Sequence, residues 1–178
     1  MPATRNSRAP RSRMPAAHQT RDVPYGADQM FALVAGIERY PEFLPWCAGA
    51  RIRQREMEGA NEVLIADLII AYKVFREQFT SRVVLDAVAR KIDVHYVRGP
   101  FRHLSNKWEF EPLPEGGSRI HFFIDFEFRS VTLQKLINNV FAKAFSRMMQ
   151  AFIDRADALY GSPALTSMEP SSPQPSSG

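Results

Sequence analysis

Residues Val131–Tyr160 read VTLQKLINNVFAKAFSRMMQAFIDRADALY, and the pattern of this segment constrains the architecture of the whole chain. Apolar residues recur at steps of three and four from end to end while polar residues fill the other face, which predicts one uninterrupted amphipathic helix. Such a helix would be about 45 Å long, more than one ordinary neighbouring helix can cover. We therefore expect a broad, curved sheet to cover its apolar face.

The residues before this helix predict that sheet, because their apolar pattern has a period of two. Residues 18–23 are expected to form an edge strand, followed by two short helices, the second a single helical turn bracketed by Pro41 and Pro45. From Arg51 to Phe128, six alternating segments follow with turn residues between them and no helical pattern. The fold class is therefore α+β, with an antiparallel meander of about seven strands curved around the C-terminal helix.

Bulky side chains dominate the apolar faces of both the sheet and the helix. A sheet that curves around one helix leaves a gap where its curvature exceeds what side chains can fill, and such gaps are common ligand sites. Plain core packing is the alternative interpretation of the same pattern. The candidate lining residues of a cavity are Phe75, Phe79, Val94, Tyr96, Trp108, Phe110, Phe122, Ile124, Phe126, Val140, Phe141, Phe145, Met148 and Met149.

Few polar residues lie among these apolar ones, and Asp67, Glu77 and Asn106 are the exceptions. A buried carboxylate without a partner costs several kcal/mol or takes up a proton. The simpler interpretation is that each acid lies at a strand end or pairs with an arginine such as Arg76, Arg82 or Arg102. The alternative is that the three side chains contact the polar head group of a ligand.

Catalytic and metal-binding patterns are absent from the sequence. It contains no glycine-rich phosphate loop, no nucleophile elbow and no histidine pair at metal spacing, so we expect no catalytic residue, no metal and no catalytic cofactor. The single cysteine, Cys47, excludes an internal disulfide and favours a reducing compartment. The apolar runs are far shorter than the roughly 20 residues that cross a bilayer, and we expect a soluble or peripheral protein.

The excess positive charge lies at the beginning of the chain. Residues 1–13 contain four arginines and no acid, which accounts for the formal net charge of +4. The remainder is nearly neutral, which argues against DNA as a partner. We expect 1–13 to be a disordered basic arm or a spurious extension ahead of Met14, 14–160 to be one folded domain, and 161–178 to be a disordered tail rich in Ser and Pro.

Three segments together resemble the coenzyme Q-binding START-domain family, and they read YPEFLPWC at 40–47, FREQFTSRV at 75–83 and GPF at 99–101. This family includes a mitochondrial coenzyme Q-binding protein and bacterial ribosome-association toxins of the RatA type. The resemblance spans 14–160 and implies a helix-grip (START-like) fold that encloses a lipid-accepting tunnel. It also implies binding of ubiquinone, in support of respiratory electron transport and quinone biosynthesis, without chemistry on the quinone.

The leading functional hypothesis is therefore a non-enzymatic ubiquinone chaperone or carrier that also contacts a membrane or the respiratory chain. Phe43, Leu44 and Trp46, on the proline-bracketed turn, are the candidates for a membrane or mouth contact, unless they simply cap the core. We expect a cytoplasmic protein, peripheral on the inner membrane of a bacterium, or one on the matrix side of a mitochondrion.

Two other classes of function stay open. The first is a toxin-like protein that associates with the ribosome and blocks subunit joining, although the nearly neutral domain argues mildly against it. The second is an enzyme of the polyketide cyclase or aromatase type. It would need converging titratable groups inside the cavity, and the candidates are Asp67, Glu77, Tyr72 and Tyr96.

Overall fold

A computed structural model describes residues 16–161. Its strands are β1 (Ala16–Val23), β2 (Cys47–Glu58), β3 (Asn61–Tyr72), β4 (Phe75–Asp86), β5 (Lys91–Arg98), β6 (Phe101–Pro112) and β7 (Ser118–Phe128). Its helices are α1 (Ala27–Ala35), a 3-10 helix (Ile37–Glu42) and α2 (Val131–Tyr160). The predicted α+β order is confirmed. The expectations for 1–13 and for the tail beyond Gly161 lie outside the described residues.

All seven strands form one antiparallel sheet in the order β1-β7-β6-β5-β4-β3-β2. Strands β2 to β7 follow each other as a meander, as short turns between alternating segments require. β1 pairs with the last strand, β7, and is an edge strand as predicted. The sheet curves around α2, which gives the helix-grip arrangement.

Helix α2 begins and ends at residues that satisfy its free backbone groups. The Ser130 hydroxyl accepts a hydrogen bond from the Leu133 N–H (3.2 Å), and the Gly161 N–H donates to the Asp157 carbonyl oxygen. The helix lies on the concave face of the sheet, where Phe145 stacks on Phe122 with ring centroids 5.2 Å apart. Within residues 16–161, neither α-helix is both long and apolar enough to cross a bilayer.

The densest core lies at one end of this arrangement, where α1, the 3-10 helix and the second half of α2 meet the sheet. Phe152 of α2 is the centre of this core, and it makes edge-to-face contacts with Trp108 (5.2 Å) and Phe43 (5.3 Å). Phe43 and Leu44 pack against the same cluster. The structure therefore favours the capping interpretation for these two residues over a membrane contact.

The glycine of the GPF segment at 99–101 is required for steric reasons. Gly99 has a φ of +139°, and a Cβ atom there would lie 2.6 Å from the Phe79 Cβ atom and 2.9 Å from the Gln78 carbonyl oxygen. This close approach places Phe101 in a small aromatic cluster, with its ring centroid 4.5 Å from that of Phe128 and 5.3 Å from that of Phe79. The glycine is needed so that the turn between β5 and β6 can lie against β4.

The substitution Gly99→Ala tests this packing. We expect it to lower the free energy of unfolding by about 3 kcal/mol, because it adds a backbone clash to an unfavourable φ. Gly116→Ala is the matched control, since Gly116 also has a positive φ but open space around it, and we expect about 1 to 2 kcal/mol. Urea unfolding measures both values, and equal losses would contradict the steric argument.

Candidate functional site

The middle of α2 is apolar but incompletely covered. The fully buried residues of this helix are Leu133, near its start, and Met149, Phe152 and Ala156 in its second half. Between 133 and 149, every large residue that faces the sheet keeps part of its surface accessible; these residues are Leu136, Ile137, Val140, Phe141, Phe145 and Met148. The first half of α2 is therefore less completely covered than the second half, and we call the region between it and the facing strands of the sheet the hollow.

The hollow opens at a groove between the end of β3 and the first half of α2. The groove has a volume of about 220 Å³, and its apolar walls are Trp46, Ile70, Tyr72, Ile137, Val140 and Ala144. Trp46 has a φ of +66°, and its ring packs edge-to-face against Tyr72 at 5.8 Å. We call this opening the mouth. Trp46 is thus the one residue of the predicted contact trio that lines it.

The depth of the hollow follows from the register of β3 and β4. Starting at the mouth, the facing pairs are Tyr72 with Phe75, Ile70 with Glu77, Leu68 with Phe79 and Ala66 with Ser81. Ser81 lies four residues beyond Glu77 on the same face, which is about 14 Å deeper along the strand. Beyond Ser81, the buried side chains of Leu64 and Val83 belong to the main core and close that end.

Three buried polar atoms on the concave face of β4, β5 and β6 have no partner. Ser81 Oγ, Tyr96 OH and Asn106 Oδ1 are buried and form no hydrogen bond with any other group in 16–161. Ser81 lies directly opposite Tyr96 across β4 and β5, and Asn106 lies opposite Val94 on the next pair of strands. We call these three residues the polar cluster. Buried polar atoms are almost always paired in folded proteins, and the other two unpaired ones in 16–161, His103 Nε2 and Arg155 Nε, lie outside this group, so three exceptions on three adjacent strands are unusual.

The three predicted head-group contacts differ in position. Asn106 belongs to the polar cluster, and Glu77 lies nearer the mouth, half-buried, without an ion pair among the described residues. Asp67 lies on the opposite face of the sheet, where it pairs with Arg53 (Nε to Oδ2, 2.7 Å) and accepts a hydrogen bond from Thr80. Asp67 therefore does not reach the hollow, and the simpler interpretation, pairing with an arginine, applies to it.

The predicted lining residues divide into two groups. Trp108, Phe110, Phe122, Phe126 and Met149 are buried within the two aromatic cores, so they form the closed walls. The half-buried ones, whose accessible surface lies around the hollow, are Phe75, Phe79, Val94, Tyr96, Ile124, Val140, Phe141, Phe145 and Met148. Ser81 was missed by the sequence analysis, although its position between Phe79 and Val83 on one face of β4 was the available signal.

The rim of the mouth is basic. Lys143 and Arg147 line the mouth, and within 16–161 the exposed cations near the β3–β4 turn or on α2 that form no ion pair are Lys73, Arg76, Lys135, Lys143 and Arg147. Away from the mouth, most arginines are paired; for example, the hydrogen bond from Arg119 lowers the pKa of Asp22 below its usual range. The β3–β4 turn also presents Val74, which is 91% exposed. The mouth therefore combines unneutralised positive charge with exposed apolar surface.

Groups capable of chemistry are few in the described part of the chain. Residues 16–161 contain no cluster of three or more His, Cys, Asp or Glu side chains arranged to hold a metal ion. Cys47 is buried, and burial raises the pKa of its thiol, which disfavours the reactive thiolate. A separate groove of about 390 Å³ lies on the outer face of the sheet, with His18, Lys107 and His121 among its lining residues.

Comparison with known proteins agrees with this geometry. A family profile described as "Polyketide cyclase / dehydrase and lipid transport" matches residues 23–153. A protein of Rickettsia prowazekii named "Ribosome association toxin RatA" is 39% identical over 140 residues, which cover 77% of this chain and 92% of that protein. The mitochondrial "Coenzyme Q-binding protein coq10" of Schizosaccharomyces pombe is 28% identical over 146 residues, which cover 81% of this chain and 88% of that protein.

Solved structures share the same fold. The solution structure of the 18 kDa protein CC1736 from Caulobacter crescentus superimposes with a TM-score of 0.71 at 34% identity, and the match covers 84% of this chain and 100% of that one. A START superfamily protein from Mycobacterium smegmatis gives a TM-score of 0.68 at 17% identity, covering 81% of this chain and 98% of that one. At this lower identity, the likeness concerns the fold alone.

Proposed function

Because the chain belongs to the polyketide cyclase, dehydrase and lipid-transport family, and is related to a coenzyme Q-binding protein, we propose that it binds ubiquinone or a similar polyisoprenoid quinone. The ligand would occupy the hollow under α2, and the protein would act as its chaperone or carrier in respiratory electron transport and quinone biosynthesis. The observation that carries this proposal is the half-buried apolar middle of α2, which opens at the mouth and faces the polar cluster.

The energetics of the hollow favour a long apolar ligand. Each Å² of apolar surface removed from water contributes about 25 cal/mol, so about 400 Å² of buried tail contributes about 10 kcal/mol. This is of the same order as the cost of immobilising a ligand. The accessible parts of Val140, Phe141 and Phe145 would be buried by the same event, which adds to the gain.

The side chains around the hollow support binding rather than catalysis. Glu77 is the acid that shares its face, and no described His, Lys or Arg forms a hydrogen bond or ion pair with it. Acid–base chemistry on a bound molecule usually requires groups that converge with perturbed pKa values. We therefore place the protein among the non-enzymatic members of a family whose description also includes cyclases and dehydrases.

A carrier of so apolar a ligand must exchange it at a membrane, and the mouth suits an anionic lipid surface. Lys73, Lys143 and Arg147 supply unpaired positive charge beside the exposed side chain of Val74. We propose peripheral contact with the inner membrane from the cytoplasm of a bacterium, or from the matrix side of a mitochondrion.

The substitution Ala144→Trp tests the position of the ligand. An indole at this position would fill much of the mouth, and we expect the affinity for a short-chain ubiquinone to fall by about tenfold or more, equivalent to about 1.4 kcal/mol. The matched control is Ala142→Trp, two residues away on the exposed face of the same helix, which should leave the affinity unchanged. Quenching of tryptophan fluorescence measures the binding.

Mass spectrometry of an organic extract of the purified protein completes this test, and we expect a co-purified quinone. Empty protein that also fails to bind added ubiquinone would exclude the carrier function. Equal affinities for the two tryptophan variants would place the ligand outside the mouth.

Charge reversal at the mouth tests the membrane contact. We expect the double variant Lys143→Glu, Arg147→Glu to bind vesicles containing anionic phospholipid at least about tenfold more weakly, because each cation near such a surface contributes about 1 kcal/mol. The double variant Lys91→Glu, Lys107→Glu is the control, since it makes the same change in net charge at exposed cations on the outer face of the sheet. Vesicle co-sedimentation at low salt gives the comparison, and equal weakening by both changes would show that only net charge matters.

A second candidate function is association with the ribosome, favoured by the names of relatives that are 32–39% identical to this chain. In the structure, the outer-face groove with Lys107, His18 and His121 is the surface available for it. Lys91 and Glu109 pair across this groove (3.4 Å), so its charge is mixed rather than uniformly basic.

Sedimentation through a sucrose gradient tests this candidate. If the protein associates with ribosomes, it should migrate with the large subunit at low salt, and Lys107→Glu should weaken the association while leaving quinone binding intact. Absence of the protein from all ribosomal fractions at low salt would remove this function.

A further inference from the structure

We propose that the polar cluster of Ser81, Tyr96 and Asn106 is the head-group site of the hollow, and that it selects a neutral ring carrying hydrogen-bonding oxygens on two sides. This inference rests on the proposed function and specifies which chemistry of the ligand the protein recognises. It assigns the ligand an orientation, with its ring at the deep end and its tail at the mouth.

The cluster spans three adjacent strands around one point of the concave face. Ser81 and Tyr96 face each other across β4 and β5, and Asn106 on β6 lies opposite Val94, two residues from Tyr96. Adjacent strands are about 4.8 Å apart and two residues span about 7 Å along a strand, so Ser81 and Asn106 stand about 12 Å apart with β5 between them. A flat ring lying over β5 would therefore meet hydroxyl groups on one side and an amide on the other.

Comparison with another buried serine shows that the cluster lacks the internal hydrogen bonds such groups usually make. Ser81 and Ser118 both have an exposed fraction of 0%, but the Ser118 hydroxyl donates to the Tyr25 carbonyl oxygen at 2.8 Å. The hydroxyl of Ser81 and that of Tyr96 make no such bond within the described residues. An unpaired buried hydroxyl destabilises the ligand-free protein, so these groups are explained only by a partner that arrives from outside.

The electrostatics of the cluster favour a neutral head group. No described Lys, Arg or His side chain hydrogen-bonds to any of its three members, and the acid on the same face is Glu77. A carboxylate or phosphate head group would be desolvated there without a counter-ion and would be repelled by Glu77. The Ser and Tyr hydroxyls can donate to carbonyl oxygens, and the Asn amide can donate or accept, so both a quinone and its reduced quinol fit.

The cluster and the mouth lie on the same side of the sheet, beside the first half of α2. Ile137 of α2 lines the mouth, and both Ile137 and Tyr96 pack against the buried cluster of Phe101, Leu104 and Phe126. The register of β3 and β4 places Ser81 about 14 Å deeper than the row of Ile70 and Glu77. A ring bound at the cluster would leave the first part of its tail under α2 and the remainder at the mouth.

Binding and thermal melting of Ser81→Ala and Tyr96→Phe test the assignment, with a ubiquinone analogue bearing a ten-carbon tail as the probe. We expect the dissociation constant to rise about fivefold to tenfold in each variant, because each variant loses one hydrogen bond to the ligand. The melting temperature of the ligand-free protein should stay the same or rise, because an unpaired buried hydroxyl is removed. The control Ser118→Ala should do the reverse, lowering the melting temperature without changing the dissociation constant. If Ser81 and Tyr96 had only a structural role, their substitution would lower the melting temperature and would not specifically weaken binding of the analogue.

A second probe, a saturated fatty acid anion of similar tail length, tests the neutrality of the site, and we expect its binding to be at least tenfold weaker than that of the quinone analogue. Equal binding of the two probes would overturn the neutral-ring selection. If Ser81→Ala and Tyr96→Phe bind the quinone as tightly as the wild-type protein, the head-group assignment fails while the carrier function stands. If the wild-type protein binds no quinone, both fail.

Discussion

The structure depends on one mismatch: the apolar face of α2 is longer than the core that can cover it. The second half of the helix meets α1, the 3-10 helix and the sheet together, and Phe152 and Met149 are fully buried there. The first half meets only the curved sheet, and a groove lies between it and the end of β3. Apolar surface of α2 that the core does not cover stays in contact with water, which is unfavourable for the ligand-free protein. A bound apolar molecule would remove this surface from water.

The sequence determined the fold because the signals were long and periodic. Thirty residues at helical spacing and six alternating segments leave one antiparallel arrangement, and both were read correctly. The surroundings of individual side chains were harder to predict from the sequence, because they depend on strand register and on distances across the sheet. From the sequence, Asp67 and Glu77 were equally good candidates for a head-group contact. In the structure, the alternation of side chains along β3 places Asp67 on the opposite face of the sheet, where it pairs with Arg53. Ser81 was overlooked because an unpaired buried hydroxyl can be recognised only when its surroundings are known.

The three segments that carried the family resemblance have separate physical roles around the hollow. Residues 40–47 close one end, where the Tyr40 hydroxyl donates to the Val34 carbonyl oxygen, and then place Trp46 at the mouth. Residues 75–83 supply one inner wall and the hydroxyl of Ser81. Residues 99–101 let the turn between β5 and β6 lie close enough to β4 to order Phe101. Each of the three family segments therefore has its own structural role beside the hollow.

The same architecture explains how relatives with such different names share one fold. The hollow uses the concave face of the sheet, whereas the groove with Lys107, His18 and His121 uses the convex face. Because neighbouring residues of a strand point to opposite faces, substitutions on one face need not disturb the other. The groove at α2 and the groove on the convex face can therefore be altered independently by substitution.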